Sequence, residues 1–427
     1  MGGFDMQILD AVARAHAHSV KPQHVATAQF AVEGGELVVG GERLSLLAAR
    51  IGQTPFYAVD RQLLRQRVAD LRAVLPTQIR LHYAMKANPM PALVGLMAGL
   101  VDGIDVASGG ELKVALDAGA DPAEISFAGP GKRDPELRQA VASRVLVNVE
   151  SKRELAVLGA ASRELGVPAR VAVRVNPDFE LKGSGMKMGG GAKQFGIDVE
   201  QLPEVFARIA DEGLHFEGFH LYAGSQNLRA ESICEAQVKS YELALRLAEH
   251  APGPVTFLNL GGGFGIPYFP GEKRLNLAPI GDNLAALVAR AATDMPLAGL
   301  VIELGRYLVG EAGIYVSRIV DRKMSCGQVF LVTDGGLHHH LAASGNFGQV
   351  VRKNYPVTIG NKADSTVREV ASVVGPLCTP LDLLADRMML PVAEVGDLAV
   401  VFQSGAYGAS ASPQAFLGHP NCVEVLV

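Results

Sequence analysis

Apolar and polar positions follow two rhythms along this chain. The run Ile79-Arg-Leu-His-Tyr-Ala-Met reads as a strand and ends on Lys86, just before Asn88-Pro89, which cannot extend it. Seven more apolar runs share this form, at 103–108, 125–130, 145–150, 170–177, 216–225, 255–263 and 300–306. Between most of them lie stretches with helical spacing, at 111–118, 135–142, 152–165, 202–210, 231–250 and 283–292. A helical run at 61–75 precedes the series. Strand and helix repeated eight times over roughly 230 residues predict an α/β fold closed as a (β/α)8 barrel. A doubly wound open sheet is the alternative. After Arg306 the pattern turns β-rich, at 314–320, 328–332, 350–359, 367–374 and 398–403, with one short helix expected at 381–389. An early hairpin near 30–39 and a strand at 54–60 are expected to join that β-rich part. The expected layout is therefore 1–58 as leader and strands of the β-domain, 59–308 as barrel, and 309–427 as a C-terminal β-domain discontinuous in sequence.

Composition narrows the picture. With 427 residues, the chain is too long for one core. At 48% hydrophobic and 19% charged it is globular, and a net charge of −5 gives no reason to expect nucleic acid or an anionic membrane. Cys234, Cys326, Cys378 and Cys422 are too scattered for a disulfide scaffold or a zinc site and fit a reducing cytoplasm. No signal peptide and no membrane span are expected.

In a barrel the chemistry sits where strands end, and here those ends carry polar residues and glycines. A strand through a domain interior that stops at Lys86 delivers an amine into a dry site. Burial there disfavours the ammonium, which suits Schiff-base chemistry with an aldehyde cofactor. A surface lysine capping a strand is the alternative. Asp105 ends the second run. Gly261, Gly262 and Gly263 offer backbone N–H groups to a phosphate, or make a tight turn. Glu303 and Arg306 either pair with each other or face a pyridine nitrogen and an anion. His220 and Tyr222 alternate onto one face of their strand, and either could stack on a flat ring. Cys378 and Tyr407 sit in loops of the β-rich part. His338-His339-His340 suggests metal, but neighbouring residues on a strand face opposite ways, so no metal is expected.

Together these stretches resemble the fold-type III pyridoxal-phosphate decarboxylases, the diaminopimelate/ornithine decarboxylase family. The motifs are Tyr83-Ala-Met-Lys-Ala-Asn88, Ile104-Asp-Val-Ala-Ser-Gly-Gly-Glu-Leu112, Val147-Asn-Val-Glu-Ser151, Lys193-Gln-Phe-Gly-Ile197, Gly261-Gly-Gly263, Gly375-Pro-Leu-Cys378 and Gly405-Ala-Tyr-Gly408. The resemblance implies an alanine-racemase-like barrel with a β-domain, pyridoxal 5'-phosphate on Lys86, and Glu303 at the pyridine nitrogen. It implies Ser225, Gly261–Gly263, Arg306 and Tyr407 around the phosphate or substrate, and Cys378 as the acid that reprotonates the α-carbon. It also implies a homodimer with shared active sites. Departures concern the substrate. The family's ring-stacking histidine position is Tyr222, with His220 two residues earlier. Thr379 replaces the acidic residue that follows the cysteine. The stretch Asp334–Phe347, with His338 and Asn346, lacks the family's arginine and tyrosine for a far carboxylate. This variant resembles a subgroup in which some members act on substrates bound to an acyl-carrier protein. The expectation is an amino-acid decarboxylase whose substrate is not a simple diamino acid. An amino-acid racemase and a non-catalytic regulatory homologue are the alternatives.

Overall fold

The computed structural model describes residues 23–179, 186–187 and 189–427. The first 22 residues of the expected leader lie outside them. Eight parallel strands form a closed ring: β1 Arg80–Ala84, β2 Gly103–Val106, β3 Ile125–Phe127, β4 Leu146–Val149, β5 Arg170–Asn176, β6 His215–Leu221, β7 Phe257–Gly262 and β8 Gly299–Leu304. Each pairs with the next, and β8 pairs back to β1, with Glu303 opposite His82. The expected barrel is therefore present and the open sheet is not.

The helices between strands begin where the sequence supplies caps. Asp60 accepts hydrogen bonds from Gln62 and Leu63 N at the start of Arg61–Arg72, and Ser108 accepts from Glu111 N at the start of Gly109–Asp117. The helices bury the outer faces of the strands, as with Tyr83, Ile104, Val147, Val171 and Ile302. The inside of the ring is different. Leu146, Ala172, Phe257 and Val301 form a small apolar floor. In register above it stand polar residues: His220 lies opposite both Arg174 and Asn259. A strand buried on both faces reads as a continuous apolar run; here polar residues interrupt the runs at the inward positions above that floor.

Most expected runs are longer than the strands they contain. β1 ends at Ala84, and Lys86 lies in the 3-10 turn Met85–Ala87 just beyond it. Arg306 likewise opens a short helix, Arg306–Val309, rather than ending β8. In both places backbone pairing stops because the chain turns over the rim of the ring.

The β-rich part forms a second, mixed sheet. Its long strand Gly313–Ser325 pairs antiparallel with Phe56–Val59, Gln328–Thr333 and Leu398–Val401. The helix expected at 381–389 is instead the strand Leu383–Pro391. Its Leu, Ala and Met residues favour helix locally, but the ladder with Arg368–Val374 overrides that preference. The strand expected at 350–359 shrinks to Val357–Ile359. Arg352 and Asn354 instead donate side-chain hydrogen bonds to carbonyls of neighbouring segments. The early hairpin keeps a sheet of its own, Val32–Glu33, Glu36–Val39 and Glu42–Arg43, and a helix that the pattern did not indicate, Leu44–Ile51, follows it. It meets the β-rich part through packing, with Leu37, Val39 and Leu44 against Ile314, Val316 and Val400.

One irregularity sets the face of β6. Phe216 and Phe219 both pack on Phe206, outside the ring, although strict alternation would separate residues three apart. A bulge between Phe216 and Gly218 absorbs the extra residue and turns His220 inward. Gly218 has φ 148°, and a Cβ there would fall 1.9 Å from the Phe257 carbonyl oxygen. Gly218→Ala should cost about 2 kcal/mol or more in urea unfolding; a variant as stable as the parent would contradict this account of the bulge.

Candidate active site

The C-terminal mouth of the ring gathers residues from far apart in sequence. Lys86 projects from the turn after β1, and the segment carrying Tyr407 is bonded to that turn: Tyr407 N donates to Ala87 O at 2.7 Å and Asn88 Nδ2 to Gly405 O at 3.0 Å. Lys86 Nζ lies 5.4 Å from the centre of the Tyr222 ring. Glu303 and Arg306 reach the same mouth from β8 and its following helix.

Lys86 departs from expectation in one respect. Its side chain is exposed at the open mouth and not sealed in a dry core. The protein crowded around it is the largest influence on its pKa and lowers it, but Tyr222, Tyr407 and Glu303 push the other way, and the net direction is up from the ordinary lysine value. Burial also raises Tyr222, so its phenol is neutral near pH 7. Glu303 is thus the standing anion that favours the ammonium.

Glu303 is buried and tightly placed. Asn259 Nδ2 donates to its Oε2 at 3.0 Å. His220 Nε2 lies 3.1 Å from the same oxygen, although out of line for a hydrogen bond. Burial alone would raise the Glu303 pKa, but His220, Lys86 and Arg174 outweigh it and hold the carboxyl well below the usual range. Among the described residues none is hydrogen-bonded to Oε1. Asn259 Oδ1 also accepts from Gly261 N at 2.8 Å, so one buried amide ties the carboxylate to the glycine run. A Cβ at Gly262 or Gly263 would fall 1.9 Å from the Glu303 carbonyl or 2.2 Å from that of Gly224. Close backbone approach therefore requires glycine at both positions.

Glu303 and Arg306 do not pair with each other. Arg306 Nη1 donates to Tyr268 Oη at 3.1 Å, and its guanidinium carbon lies 4.6 Å from the Tyr407 ring centre. Its Nε is buried without a partner, and no carboxylate pairs with it among the described residues. Such a cation is a ready anion site.

The two rings left open by the sequence have separate positions. His220 has 1% exposure and faces Glu303, while Tyr222 faces Lys86. Asp105 Oδ1 lies 3.0 Å from His82 Nδ1, and its Oδ2 is buried without a partner. Ser225 lies on the short strand Gly224–Ser225, paired with Met186–Lys187.

The residues expected to meet substrate are spread out. Cys378 is exposed in the loop before Leu383–Pro391. Nearby Thr379 Oγ1 accepts from Leu381 N, and exposed Asn346 donates to Ser344 Oγ at 2.8 Å. His338 has 0% exposure and packs 3.7 Å and 5.1 Å from the His339 and His419 rings, so it is closed off from the mouth. The three histidines lie in a turn and not on a strand, which is why two adjacent rings can touch. Among the described residues no cluster could hold a metal ion, and no helix is long and apolar enough to cross a membrane.

Three residues at the site have no role in the sequence reading, and Glu150 stands there only as part of a motif. Asn259 and Arg174 hold or face Glu303, Tyr268 holds Arg306, and Glu150 accepts from Arg174 Nη1 at 3.3 Å. The available signal for two of them was a polar residue inside an apolar run, as in Phe257-Leu-Asn-Leu260 and Val171-Ala-Val-Arg-Val175.

The electrostatics give a test. Reductive methylation of Lys86 by formaldehyde, followed by peptide mapping, should speed up about tenfold per pH unit between about pH 7 and 9, because only the neutral amine reacts. Glu303→Gln should move that rise to lower pH. A profile superimposed on the parent's would contradict the proposed role of the carboxylate charge.

Comparison with known proteins agrees with this geometry. The pyridoxal binding domain of the pyridoxal-dependent decarboxylases matches residues 61–310. The chain is 39% identical over 380 residues to the L-glutamyl-[BtrI acyl-carrier protein] decarboxylase of Niallia circulans, covering 88% of this chain and 89% of that protein. It is 33% identical over 396 residues to the diaminopimelate decarboxylase of Aquifex aeolicus, covering 92% and 91%. The crystal structure of diaminopimelate decarboxylase from M. jannaschii in complex with L-lysine superposes with a TM-score of 0.84 at 25% identity, covering 93% of this chain and 92% of that one. With the ring, its second sheet and these likenesses in agreement, the chain belongs to the pyridoxal-dependent decarboxylase family, and it is a carboxy-lyase that uses pyridoxal 5'-phosphate on an amino acid.

Proposed function

We propose that this decarboxylase takes an α-amino acid presented on an acyl-carrier protein, works as a cytoplasmic homodimer, and divides its labour among the residues of the barrel mouth and the Cys378 loop. The buried, unpaired guanidinium of Arg306 beside the glycine run supports the fit of the cofactor's phosphate. The free Oε1 of Glu303 supports the fit of its pyridine nitrogen. When bound, pyridoxal phosphate supplies an aldehyde for the amine and a ring that accepts the electron pair left as CO2 departs.

The chain's own residues do the rest. Lys86 is the amine that would hold the cofactor's aldehyde. Glu303, fixed by Asn259 and with His220 beside it, would keep a proton on the pyridine nitrogen; a carboxylate already in place spends nothing on reorganisation. Tyr222, beside Lys86, is the ring that would meet the cofactor's flat face, since His220 sits against Glu303. Gly261, Gly262, Gly263, Ser225, Arg306 and Tyr407 would hold the phosphate, with Asp105 and His82 beneath the turn that carries Lys86. Cys378 hands a proton to the α-carbon. Its exposure within one chain supports delivery to the site of a second copy, and the shared site supports the homodimer. Four free cysteines fit a reducing compartment. We also place the domain boundaries after residues 58 and 308, where the chain enters and leaves the barrel.

Thr379 carries the substrate proposal. It leaves a distal ammonium without a charge partner, and the Niallia circulans relative acts on a carrier-bound glutamyl group. Carbon dioxide release should be fast from a carrier-bound glutamyl thioester. From free lysine, ornithine or meso-diaminopimelate it should fall well below the roughly 10 per second of typical enzymes. Typical rates on a free diamino acid would overturn this substrate class.

Site sharing has its own test. Lys86→Ala and Cys378→Ala homodimers should each be nearly inactive. After equal mixing and subunit exchange, turnover should recover to about a quarter of the parent's, because one mixed dimer carries one intact site. No recovery would place Cys378 in its own subunit's site.

A further inference from the structure

A groove of about 1330 Å³ lies between the β-rich part and the segment that runs from Gln23 into the early hairpin. Its lining includes Arg352, Lys353, Arg368 and Arg387, against a single carboxylate, Asp386, among the described residues. Met388 and Met389 add apolar surface, and Met389 is 56% exposed.

Arg352 is the informative member. Its Nε donates to Ser344 O at 2.9 Å and its Nη2 to Leu383 O, while Nη1 is buried without a partner. No carboxylate pairs with it among the described residues. A guanidinium that satisfies itself on two carbonyls and meets no carboxylate keeps an uncompensated positive charge at the groove lining. The two carbonyls belong to the loop before Asn346 and Phe347 and to the strand after the Cys378 loop. Phe347 lies 6.4 Å from Tyr407. Three residues beyond Arg352, Tyr355 stacks 4.6 Å from Tyr268, which holds Arg306. The segment that carries Arg352 is thus joined to the site through Tyr355 on Tyr268, and its Ser344 partner loop through Phe347 on Tyr407.

We propose that this groove is the docking surface for a carrier protein of acidic surface, with the phosphodiester of its phosphopantetheine arm on Arg352. The proposal rests on the carrier-bound substrate proposed above. The excess of cations matches an acidic partner and an anionic arm, and the methionines offer an adaptable apolar floor.

The test uses the full-length, cofactor-loaded enzyme and three glutamyl thioesters: on a carrier protein, on phosphopantetheine and on pantetheine. Lys353→Glu combined with Arg387→Glu should raise KM for the carrier-bound thioester about tenfold and leave kcat unchanged. The same pair should leave KM for the pantetheine thioester unchanged. Arg352→Gln should raise KM for the first two substrates and not for the pantetheine thioester, which lacks the phosphate. Higher salt should weaken only the carrier-bound substrate in the parent. An unchanged KM for the carrier-bound thioester in both variants would overturn the proposal. So would loss of the homodimer in the charge-reversed variant by light scattering, since the groove would then face a second copy. Failure of the underlying substrate class looks different: free glutamate would be turned over in preference to every thioester by parent and variants alike, and the groove proposal would fall with it.

Discussion

Closure of the ring between its last and first strands is the constraint on which this molecule depends. Lys86 and Glu303 are far apart along the chain, yet pairing of β8 with β1 sets Glu303 opposite His82 and places both at one rim. No local interaction could bring them together. The apolar floor of Leu146, Ala172, Phe257 and Val301 separates the ion pairs Arg80–Glu124 and Arg170–Glu217 at the bottom of the ring from the mouth, where Lys86, Glu303 and Arg306 gather.

Charge is arranged at that rim with little cancellation. Glu303 faces Lys86 and His220, and Arg306 is set apart among tyrosines with no carboxylate of its own. An anion site and a carboxylate held a fixed distance apart suit a ligand with phosphate at one end and a protonated nitrogen at the other. Asn259 joins the two halves through the Glu303 carboxylate and the Gly261 amide. The site keeps its shape because backbone and buried amide groups, rather than mobile surface side chains, set the spacing.

Much of this was legible in the sequence, for a physical reason. Parallel strands covered by helices must be apolar throughout, so their number and order stand out, and the rim residues follow as the points where each run breaks. What stayed hidden depended on three-dimensional pairing. Leu383–Pro391 has helix-favouring residues and becomes a strand because Arg368–Val374 offers it a ladder. Whether His220 or Tyr222 faces Lys86 is hidden in the sequence because both share one face; it is the place of Glu303, 3.1 Å from His220, that leaves Tyr222 beside Lys86. The state of Lys86 was misjudged because a lone residue shows neither the open mouth above it nor the carboxylate across from it. His338 was counted toward the substrate from its neighbours in sequence, while its packing between His339 and His419 is a tertiary fact.

The claim beneath all of this is that the amine of residue 86 is the point of attachment for pyridoxal phosphate. Borohydride reduction of the cofactor-saturated protein, followed by digestion and mass mapping of the phosphopyridoxyl group, tests it directly. The account predicts label on Lys86 alone and none after Lys86→Ala. Label on a different lysine, or a protein that takes up no label, would contradict it.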